Sequence, residues 1–265
     1  MRIYLVIIPL ILVTLSASAQ EFAKQRLEKS SRHQEWMQVK NGDRTVHAFI
    51  VYPEVKDKAT AVVVIHEIFG LTDWVRSVAD QLAEAGYIAI APDLLSGMAP
   101  EGGRTIDFPD QDAAVEAISK LPPEQITADL NATADYVSAL PAFNGKVAVA
   151  GFCWGGGQSF RFATNRQDLK AAFVFYGSGV STKEAANNIQ CPVYGFYAGN
   201  DARITATVPN TIELMKEAEK TYDPVTYEDA GHGFMRLGET PDASEVNKKA
   251  HDEAWARWKT LLKKM

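Results

Sequence analysis

The sequence predicts an α/β fold in which helices cover both faces of a mostly parallel sheet. Short, continuous apolar runs such as 61–65 and 146–150 are typical of strands buried on both faces. Amphipathic helical patterns alternate with these runs, and Gly or Pro separates many of the segments. Strands that alternate with helices indicate parallel strands joined by crossover helices.

The elements follow one another without an internal repeat or a linker. We predict strands at 45–52, 61–65, 87–91, 146–150, 171–176, 193–197 and near 225–227. We predict helices at 74–85, 110–121, 123–139, 155–163, 209–220 and 244–263. The residues 96–110, rich in Gly and Pro, predict a long loop, and the polar segment 21–38 predicts a poorly ordered lead-in. One domain over 45–265, preceded by a lead-in over 20–44, is the simplest organisation.

The composition is that of a soluble globular protein. Of 265 residues, 46% are hydrophobic and 23% are charged. Lys and Arg total 27 against 33 for Asp and Glu, which gives a formal net charge of -6. Nucleic-acid binding normally needs a basic surplus, so we expect no nucleic-acid partner.

The first nineteen residues have the pattern of a secretory signal. Arg2 precedes an apolar run over 3–15, and Ala17 and Ala19 occupy the small-residue positions before a cleavage site. The alternative is a membrane anchor, but a span needs about 20 apolar residues, more than this run supplies. We therefore expect cleavage near Ala19–Gln20, export to the periplasm or the exterior, and no stable membrane anchor afterwards.

The strongest local motif is Gly-Phe-Cys-Trp-Gly at 151–155. It follows a predicted strand and opens a predicted helix, as a nucleophile elbow does, with Cys153 as the nucleophile. A helix N-terminus lowers the pKa of a thiol, so we expect an activated Cys153. The alternative is a buried cysteine in a phosphate-binding turn, although the motif lacks the middle glycine of that fingerprint.

An acid and a base follow the nucleophile in the chain. Asp201 comes after the strand at 193–197, and His232 comes after the strand near 227. The order nucleophile, acid, histidine is that of α/β-hydrolases. Taken alone, Asp201 could be a loop cap and His232 a turn residue. His66 is the competing histidine, but it precedes the nucleophile.

These motifs together resemble the dienelactone hydrolase family over about 45–262. The resemblance rests on His-Glu-Ile-Phe-Gly at 66–70, Pro-Asp-Leu at 92–94, Gly-Phe-Cys-Trp-Gly-Gly at 151–156, Asp201, and Gly-His-Gly-Phe at 231–234. It implies an α/β-hydrolase fold without a separate cap domain and a triad of Cys153, Asp201 and His232. It also places Glu67 beside the thiol, where Glu67 accepts the proton of Cys153 or pairs with Arg236.

The resemblance implies a hydrolase of small carboxylic esters or lactones that acts through an acyl-thioester. The oxyanion hole would use the backbone N–H groups of Ile68 and Trp154. We expect a monomer with a small-molecule substrate and with neither metal nor organic cofactor. The alternatives are a non-catalytic binding protein on the same fold and thiol-redox chemistry between Cys153 and Cys191. Because Cys191 starts its strand, we expect it at the opposite end of the sheet, too far for a disulfide.

Two arginines are candidate substrate-binding residues, Arg236 and Arg104. Arg236 stands four residues after His232, at the spacing of an arginine in family members that take anionic lactones. Its alternative role is to pair with Glu67 and orient it. Arg104, in the 96–110 loop, is a further expected substrate-binding residue. Arg203 could reach the mouth of the same substrate pocket. No motif assigns either arginine to that pocket. This chain departs from the family in two respects. Its 96–110 loop matches the family poorly. The catabolic members of the family are cytoplasmic, whereas we expect this protein to be exported.

Overall fold

The computed structural model describes residues 9–265, with side chains from residue 18 onward. The strands are β1 Gln34–Asn41, β2 Arg44–Val51, β3 Ala59–Ile65, β4 Ile88–Pro92, β5 Phe143–Phe152, β6 Ala171–Phe175, β7 Val193–Ala198 and β8 Tyr222–Tyr227. They form one sheet in the order β1-β2-β4-β3-β5-β6-β7-β8. The β1–β2 and β2–β4 pairs are antiparallel, and the other neighbours are parallel.

Helices lie on both faces of this sheet. They are α1 Pro9–Lys29, α2 Asp73–Glu84, α3 Gln111–Ser119, α4 Pro123–Ser138, α5 Trp154–Asn165, α6 Lys183–Asn187, α7 Ala202–Thr205, α8 Val208–Glu217, α9 Phe234–Leu237 and α10 Glu245–Leu262. One core contains side chains of α3, α4, α5, α6 and α8, and the other contains side chains of α1, α2 and α10. The predicted fold class is therefore confirmed, and no cap domain is evident among the described residues.

The central strands are buried as their apolar sequences predict. Every residue of β3 is buried, as are the last six residues of β5. Because both faces of these strands are covered, their side chains divide between the two cores, with Val63 in one and Val62 in the other. The two strands are neighbours, so the residues that follow them meet at one edge of the sheet.

The expected poorly ordered lead-in over 21–38 is wrong. The helix α1 continues to Lys29 and buries Ala23 and Leu27, and β1 pairs with β2 along its whole length. Arg32 connects this segment to α2, because its guanidinium donates two hydrogen bonds to the buried carboxylate of Asp80. The sheet therefore begins at Gln34, inside the predicted lead-in of 20–44.

The predicted signal segment is only partly visible. Its residues 1–8 lie outside the described residues, and residues 9–19 form the first part of α1. Within residues 9–265, no helix is both long enough and apolar enough to cross a membrane.

The loop predicted at 96–110 contains two short 3-10 turns, Pro100–Gly102 and Thr105–Asp107. Thr105 fixes the loop to its surroundings. Its backbone N–H and its hydroxyl both donate to the carboxylate of Asp93, and its Oγ1 accepts the N–H of Leu71. The loop is thereby attached to the residues that follow β3 and β4.

Candidate active site

The turn between β5 and α5 has the geometry of a nucleophile elbow. Cys153 adopts φ 55° and ψ −117°, a conformation that L residues rarely occupy. A Cβ on Gly151 would lie 1.9 Å from the carbonyl oxygen of Gly155, and a Cβ on Gly155 would lie 2.3 Å from that of His66. The two glycines are therefore required by close backbone packing around the cysteine.

Cys153, His232 and Asp201 form a continuous relay. The Sγ of Cys153 lies 3.1 Å from Nε2 of His232. The Nδ1 of His232 lies 2.5 Å from Oδ2 of Asp201. The carboxylate can hold the imidazole with its Nδ1 protonated, which leaves Nε2 free to accept the proton of the thiol. The structure thus brings together the three residues that the sequence predicted as a triad.

Parallel strands and their loops bring the acid and the base to the cysteine. Asp201 lies three residues beyond β7 and precedes α7, and His232 lies between β8 and α9. The two loops are joined by the N–H of Asn200, which donates to the carbonyl of Ala230. Tyr176, just beyond β6, packs its buried ring 5.0 Å from the ring of His232 and limits the positions that the imidazole can take.

Two backbone N–H groups converge on the sulfur. The N–H groups of Trp154 and Ile68 face the thiol of Cys153 closely enough to lower its pKa. One belongs to the first residue of α5, and the other to the loop after β3, hereafter the oxyanion loop (residues 66–70). These are the two donors predicted for an oxyanion hole, and a substrate oxygen beside the sulfur would meet both.

His66 holds the oxyanion loop in place and is not a second base. Its Nε2 accepts the N–H of Leu94, so its Nδ1 carries the proton and donates to the carbonyl of Glu67. The ring is fully buried and stacks on Trp154, 5.5 Å between centroids. Burial lowers the pKa of His66, which keeps the imidazole neutral. His66 therefore supports both elements that supply the oxyanion donors.

The thiol of Cys153 is not activated in the way that the sequence predicted. Burial, with a smaller effect of the Glu67 carboxylate, raises the pKa of Cys153 to about 11. The N–H groups of Trp154 and Ile68, and the charge of Arg203, lower it by less. The helix N-terminus is present, but desolvation outweighs it. At neutral pH the resting residue is a thiol, and a base must remove its proton.

Glu67 and Arg236 form a buried ion pair beside the thiol. The Nε of Arg236 donates to Oε2 of Glu67 over 2.8 Å, and the side chains are 10% and 3% exposed. This is the alternative role given above for Arg236. Anion binding by Arg236 and proton transfer to Glu67 remain predictions.

The other arginines lie at two different places. Arg203 is an exposed residue of α7 whose charge lowers the pKa of Cys153, so it lies near the thiol. Arg104 lies over the ring of Trp36, with 3.8 Å from its Cζ to the ring centroid. Trp36 is on the edge strand β1, and the cavity that Arg104 lines together with Trp36 and Phe69 does not include Cys153 among its lining residues.

The second cysteine is remote from the first. Both Cys153 and Cys191 are free thiols. Cys191 lies two residues before β7, whereas Cys153 follows β5 and its N–H donates to the carbonyl of Phe175 at the end of β6. The two residues therefore lie at opposite ends of the sheet, as predicted, and this geometry does not favour a disulfide between them.

The sequence matches the model of the dienelactone hydrolase family over residues 46–265. The chain belongs to the dienelactone hydrolase family. A Salmonella typhi relative named "Putative carboxymethylenebutenolidase" is 32% identical over 199 residues, which cover 71% of this chain and 72% of the relative. A relative of the same name in Methylorubrum extorquens is 31% identical over 203 residues, covering 72% and 69%. The chain is therefore a hydrolase of this family.

Solved structures agree with this membership. The "Putative Dienelactone Hydrolase" of Klebsiella pneumoniae is similar with a TM-score of 0.78 at 25% identity, covering 89% of this chain and all of that one. An esterase of Pyrobaculum calidifontis shares the fold, with a TM-score of 0.67 at 19% identity over 95% of this chain and 92% of the esterase.

Two contributors to the site were missed from the sequence. His66 was considered only as a competing base, although its place after a buried strand could have indicated a support for the oxyanion loop. Tyr176 was predicted only as the end of a strand, and its φ of 38° marks it as unusual in the structure. Within residues 9–265, no His, Cys, Asp and Glu side chains form a group of three or more that could hold a metal ion.

Proposed function

We propose that the chain is a cysteine-dependent hydrolase of small carboxylic esters or lactones, acting through an acyl-thioester. The observation that carries the proposal is the relay from Cys153 through His232 to Asp201 beside two backbone donors. The family name and the names of the two bacterial relatives support a lactone or ester substrate.

The first half-reaction forms the thioester. His232 Nε2 accepts the proton of Cys153 while Sγ bonds to the carbonyl carbon of the substrate. The carbonyl oxygen becomes an oxyanion and accepts hydrogen bonds from the backbone N–H groups of Ile68 and Trp154, which face the thiol in the resting structure. The carbon–oxygen bond to the alcohol then breaks, and the alcohol oxygen receives the proton from His232.

The second half-reaction releases the acid. His232 accepts a proton from water, and the resulting hydroxide bonds to the thioester carbon in the same oxyanion hole. The carbon–sulfur bond breaks, and the sulfur regains its proton from His232. Asp201 stabilises the imidazolium in both halves through Nδ1. A lactone passes through the same steps, with its alcohol still attached to the acyl group.

The raised pKa of Cys153 is consistent with this sequence of steps. A thiol that is protonated at rest does not react with electrophiles indiscriminately, and proton transfer to His232 occurs as the sulfur attacks. Besides Asp201, the site contains the carboxylate of Glu67. Its ion pair with Arg236 compensates this buried negative charge.

The test is a panel of small esters and lactones, neutral and anionic, assayed with wild type and with Cys153→Ala. We expect hydrolysis by wild type and a decrease of kcat by a factor on the order of 10³ or more in the variant. Mass spectrometry of rapidly quenched wild type should find the acyl group on Cys153. Hydrolysis that survives in Cys153→Ala in a folded protein would refute the thioester mechanism.

We also propose that the protein is exported and that its mature chain starts at Gln20. The support is the pattern of Arg2, the apolar run and Ala17-x-Ala19. N-terminal sequencing of the protein from its native source should return Gln20, or a blocked N-terminus of the corresponding mass. A chain that begins at Met1 would refute export by this signal.

A further inference from the structure

The segment that carries the histidine of the triad is held at both of its ends. We call residues 231–239 the base segment; it follows β8 and contains α9. At its start, the N–H of Gly231 donates to Oδ1 of Asn247 on α10. Near its end, Gly238 packs so closely on α10 that a Cβ there would lie 2.3 Å from the carbonyl oxygen of Asn247. The last residue, Glu239, extends to a different helix.

Glu239 connects the base segment to α2. Its Oε2 accepts the indole N–H of Trp74 over 2.8 Å, and its Oε1 accepts the amide N–H of Gln81 over 2.7 Å. Trp74 and Gln81 lie about two turns apart on α2, so one carboxylate is attached to the helix at two points. The end of the base segment is therefore fixed relative to α2.

The carboxylate of Glu239 is buried, and neighbouring groups compensate its charge. The side chain is 6% exposed, and Nη1 of Arg26 on α1 lies 3.6 Å from its Oε1. Burial raises the pKa of Glu239, whereas His251, Arg26 and the two hydrogen-bond donors act in the opposite direction. A buried carboxylate whose two oxygens both accept hydrogen bonds has few alternative positions, so it can hold the segments that it joins.

Trp74 continues the connection to the nucleophile. Its side chain is 1% exposed, and its ring packs edge-to-face on the ring of Phe152, 5.0 Å between centroids. Phe152 is the last residue of β5 and directly precedes Cys153. The base segment and the nucleophile elbow are thus connected through these side chains, as well as through the contact between His232 and Cys153.

We propose that Glu239 is a positioning residue: through Trp74 it holds the base segment at the distance from the nucleophile elbow that proton transfer requires. The inference rests on the proposed hydrolysis at Cys153, in which Nε2 of His232, 3.1 Å from Sγ, accepts the proton of the thiol. A misplacement of about 1 Å can decrease a rate about a hundredfold. Because the carboxylate of Glu239 is buried against α2, its loss should act on kcat and not on KM.

The first test removes the carboxylate and the indole N–H in turn. Glu239→Ala should decrease kcat about tenfold for neutral and anionic esters alike, with KM unchanged within about twofold. Trp74→Phe keeps an aromatic ring beside Phe152 and removes the N–H donor, so it should also decrease kcat. Because both substitutions break one hydrogen bond, the double variant should be no slower than Glu239→Ala alone. Effects that multiply in the double variant, or a wild-type kcat in Glu239→Ala, would overturn the inference.

The second test exchanges the two polar groups. Glu239→Gln alone leaves one of the two donors, Trp74 or Gln81, without an acceptor and should decrease kcat. In the double variant Glu239→Gln with Gln81→Glu, the amide and the carboxylate exchange places, and both hydrogen bonds can form again. We expect this double variant to have a kcat within about threefold of wild type. A kcat as low as that of Glu239→Gln alone would contradict the positioning role.

Asp80→Asn is the matched control. Asp80 is a completely buried carboxylate on the same helix, but it binds Arg32 and not the base segment. Its replacement should leave kcat within about twofold of wild type. A loss of kcat equal to that of Glu239→Ala would assign the effect to a loosened α2 and overturn the positioning role.

Alkylation of Cys153 by iodoacetamide at pH 9 gives a readout that does not depend on the base. The thiolate is the reacting species, and its amount depends on how deeply the thiol is buried. We expect Glu239→Ala to alkylate at the wild-type rate within about twofold. A much faster reaction would show that the substitution has opened the site, which is a structural effect and not a displacement of His232.

Cys153→Ala in the same ester assay separates this inference from the proposed mechanism. If Cys153→Ala hydrolyses esters as wild type does, the thioester mechanism fails and the positioning role fails with it. If hydrolysis needs Cys153 but Glu239→Ala keeps the wild-type kcat, the positioning role fails alone. Circular dichroism and Tm of each variant confirm that it is folded. If Glu239→Ala does not fold, Trp74→Phe and the exchange with Gln81 test the same contact.

Discussion

In the proposed mechanism, the protonation state of Cys153 decides how the reaction starts. Burial raises the pKa of Cys153 to about 11, so at pH 7 the protonated thiol greatly outnumbers the thiolate. The thiolate is the species that iodoacetamide alkylates. We therefore expect the alkylation rate of native enzyme to increase about tenfold for each pH unit between pH 7 and pH 10.

Cys191 supplies the internal control for this measurement. Burial raises its pKa to about 12, and it is only 6% exposed, so it should react more slowly than Cys153 throughout. Mass mapping of the labelled peptide assigns the rate to Cys153, and the Cys153→Ala variant gives the background. A rate that is high and constant from pH 6 upward would contradict the expectation and indicate a thiolate–imidazolium pair with His232.

Kinetics can distinguish two roles of Arg236, pairing with Glu67 and binding an anionic substrate. Because its guanidinium already pairs with Glu67, Arg236→Ala would leave a buried carboxylate uncompensated beside the sulfur. We expect kcat/KM to decrease by about tenfold or more for anionic and neutral esters alike. The double variant Arg236→Met with Glu67→Gln should recover part of the loss, since it removes both charges together. A rise in KM confined to anionic esters would instead assign substrate binding to Arg236.

At the level of single residues, the sequence predicts positions better than protonation states. Cys153, Asp201 and His232 were identifiable because each follows a strand of a parallel sheet, and such ends meet at one edge. The raised pKa of Cys153 depends on how completely neighbouring elements bury the thiol, which no local motif records. The same applies to His66, whose ring accepts a hydrogen bond from Leu94, 28 residues further along the chain.

The nucleophile elbow depends on glycines at two places where the backbone packs on itself. A methyl group on Gly151 would lie 1.9 Å from a backbone oxygen, and no flexible side chain can move to relieve the contact. We expect Gly151→Ala to decrease the free energy of unfolding by about 3 kcal/mol or more and to abolish activity, as measured by urea denaturation and an ester assay.

Gly157, one turn into α5, is the matched control. The nearest atom to a Cβ there would be the hydroxyl of Ser178, at 3.0 Å, whereas the backbone N and O of Ser178 lie at an ordinary contact distance of 3.8 Å. Alanine also favours the helix. Gly157→Ala should therefore change the free energy of unfolding by about 1 kcal/mol or less. Equal destabilisation by the two substitutions would show that the elbow is no tighter than an ordinary helix interior.

Among the elements, the buried strands were predictable and the segments that depend on partners were not. Every residue of β3 except Thr60 is apolar, so its sequence indicates a buried strand. β1 contains mostly polar residues and is stabilised by pairing with β2, in the eight-residue register from Gln34–Val51 to Asn41–Arg44. The helices α7 and α9 have four residues each, too short to show a periodic pattern. Tertiary contacts, not local preference, define these three elements.

At the scale of the whole molecule, the N-terminal segment is part of the folded unit. Gln20 accepts the backbone N–H of Trp74, and Arg26 pairs with Glu84. Arg32 supplies the strongest connection, because its guanidinium binds both oxygens of Asp80, whose side chain is completely buried. A chain that starts at Gln20, as the proposed cleavage requires, keeps all of these contacts.

Truncation tests the contribution of this segment. A chain that starts at Gln20 should unfold in urea at the same midpoint as a chain that starts at Met1. A chain that starts at His33 loses α1 together with Arg32, the positive partner of Asp80, and Ser30, which also donates to the Asp80 carboxylate. Removing one member of a buried ion pair costs about 3–5 kcal/mol, and lost burial of Ala23 and Leu27 adds to it. We therefore expect the shorter chain to be less stable by at least that amount, or not to fold.

Arg32→Met in the chain that starts at Gln20 isolates the charge effect from the loss of the helix. It should account for most of the destabilisation, and adding Asp80→Asn should recover part of it, because the neutral amide no longer needs a cation. Asp80 lies on α2, which begins three residues after the oxyanion loop, so a loosened α2 should also raise KM for esters. Unchanged unfolding free energy in the chain that starts at His33 would show that the segment is only an appendage to the hydrolase domain.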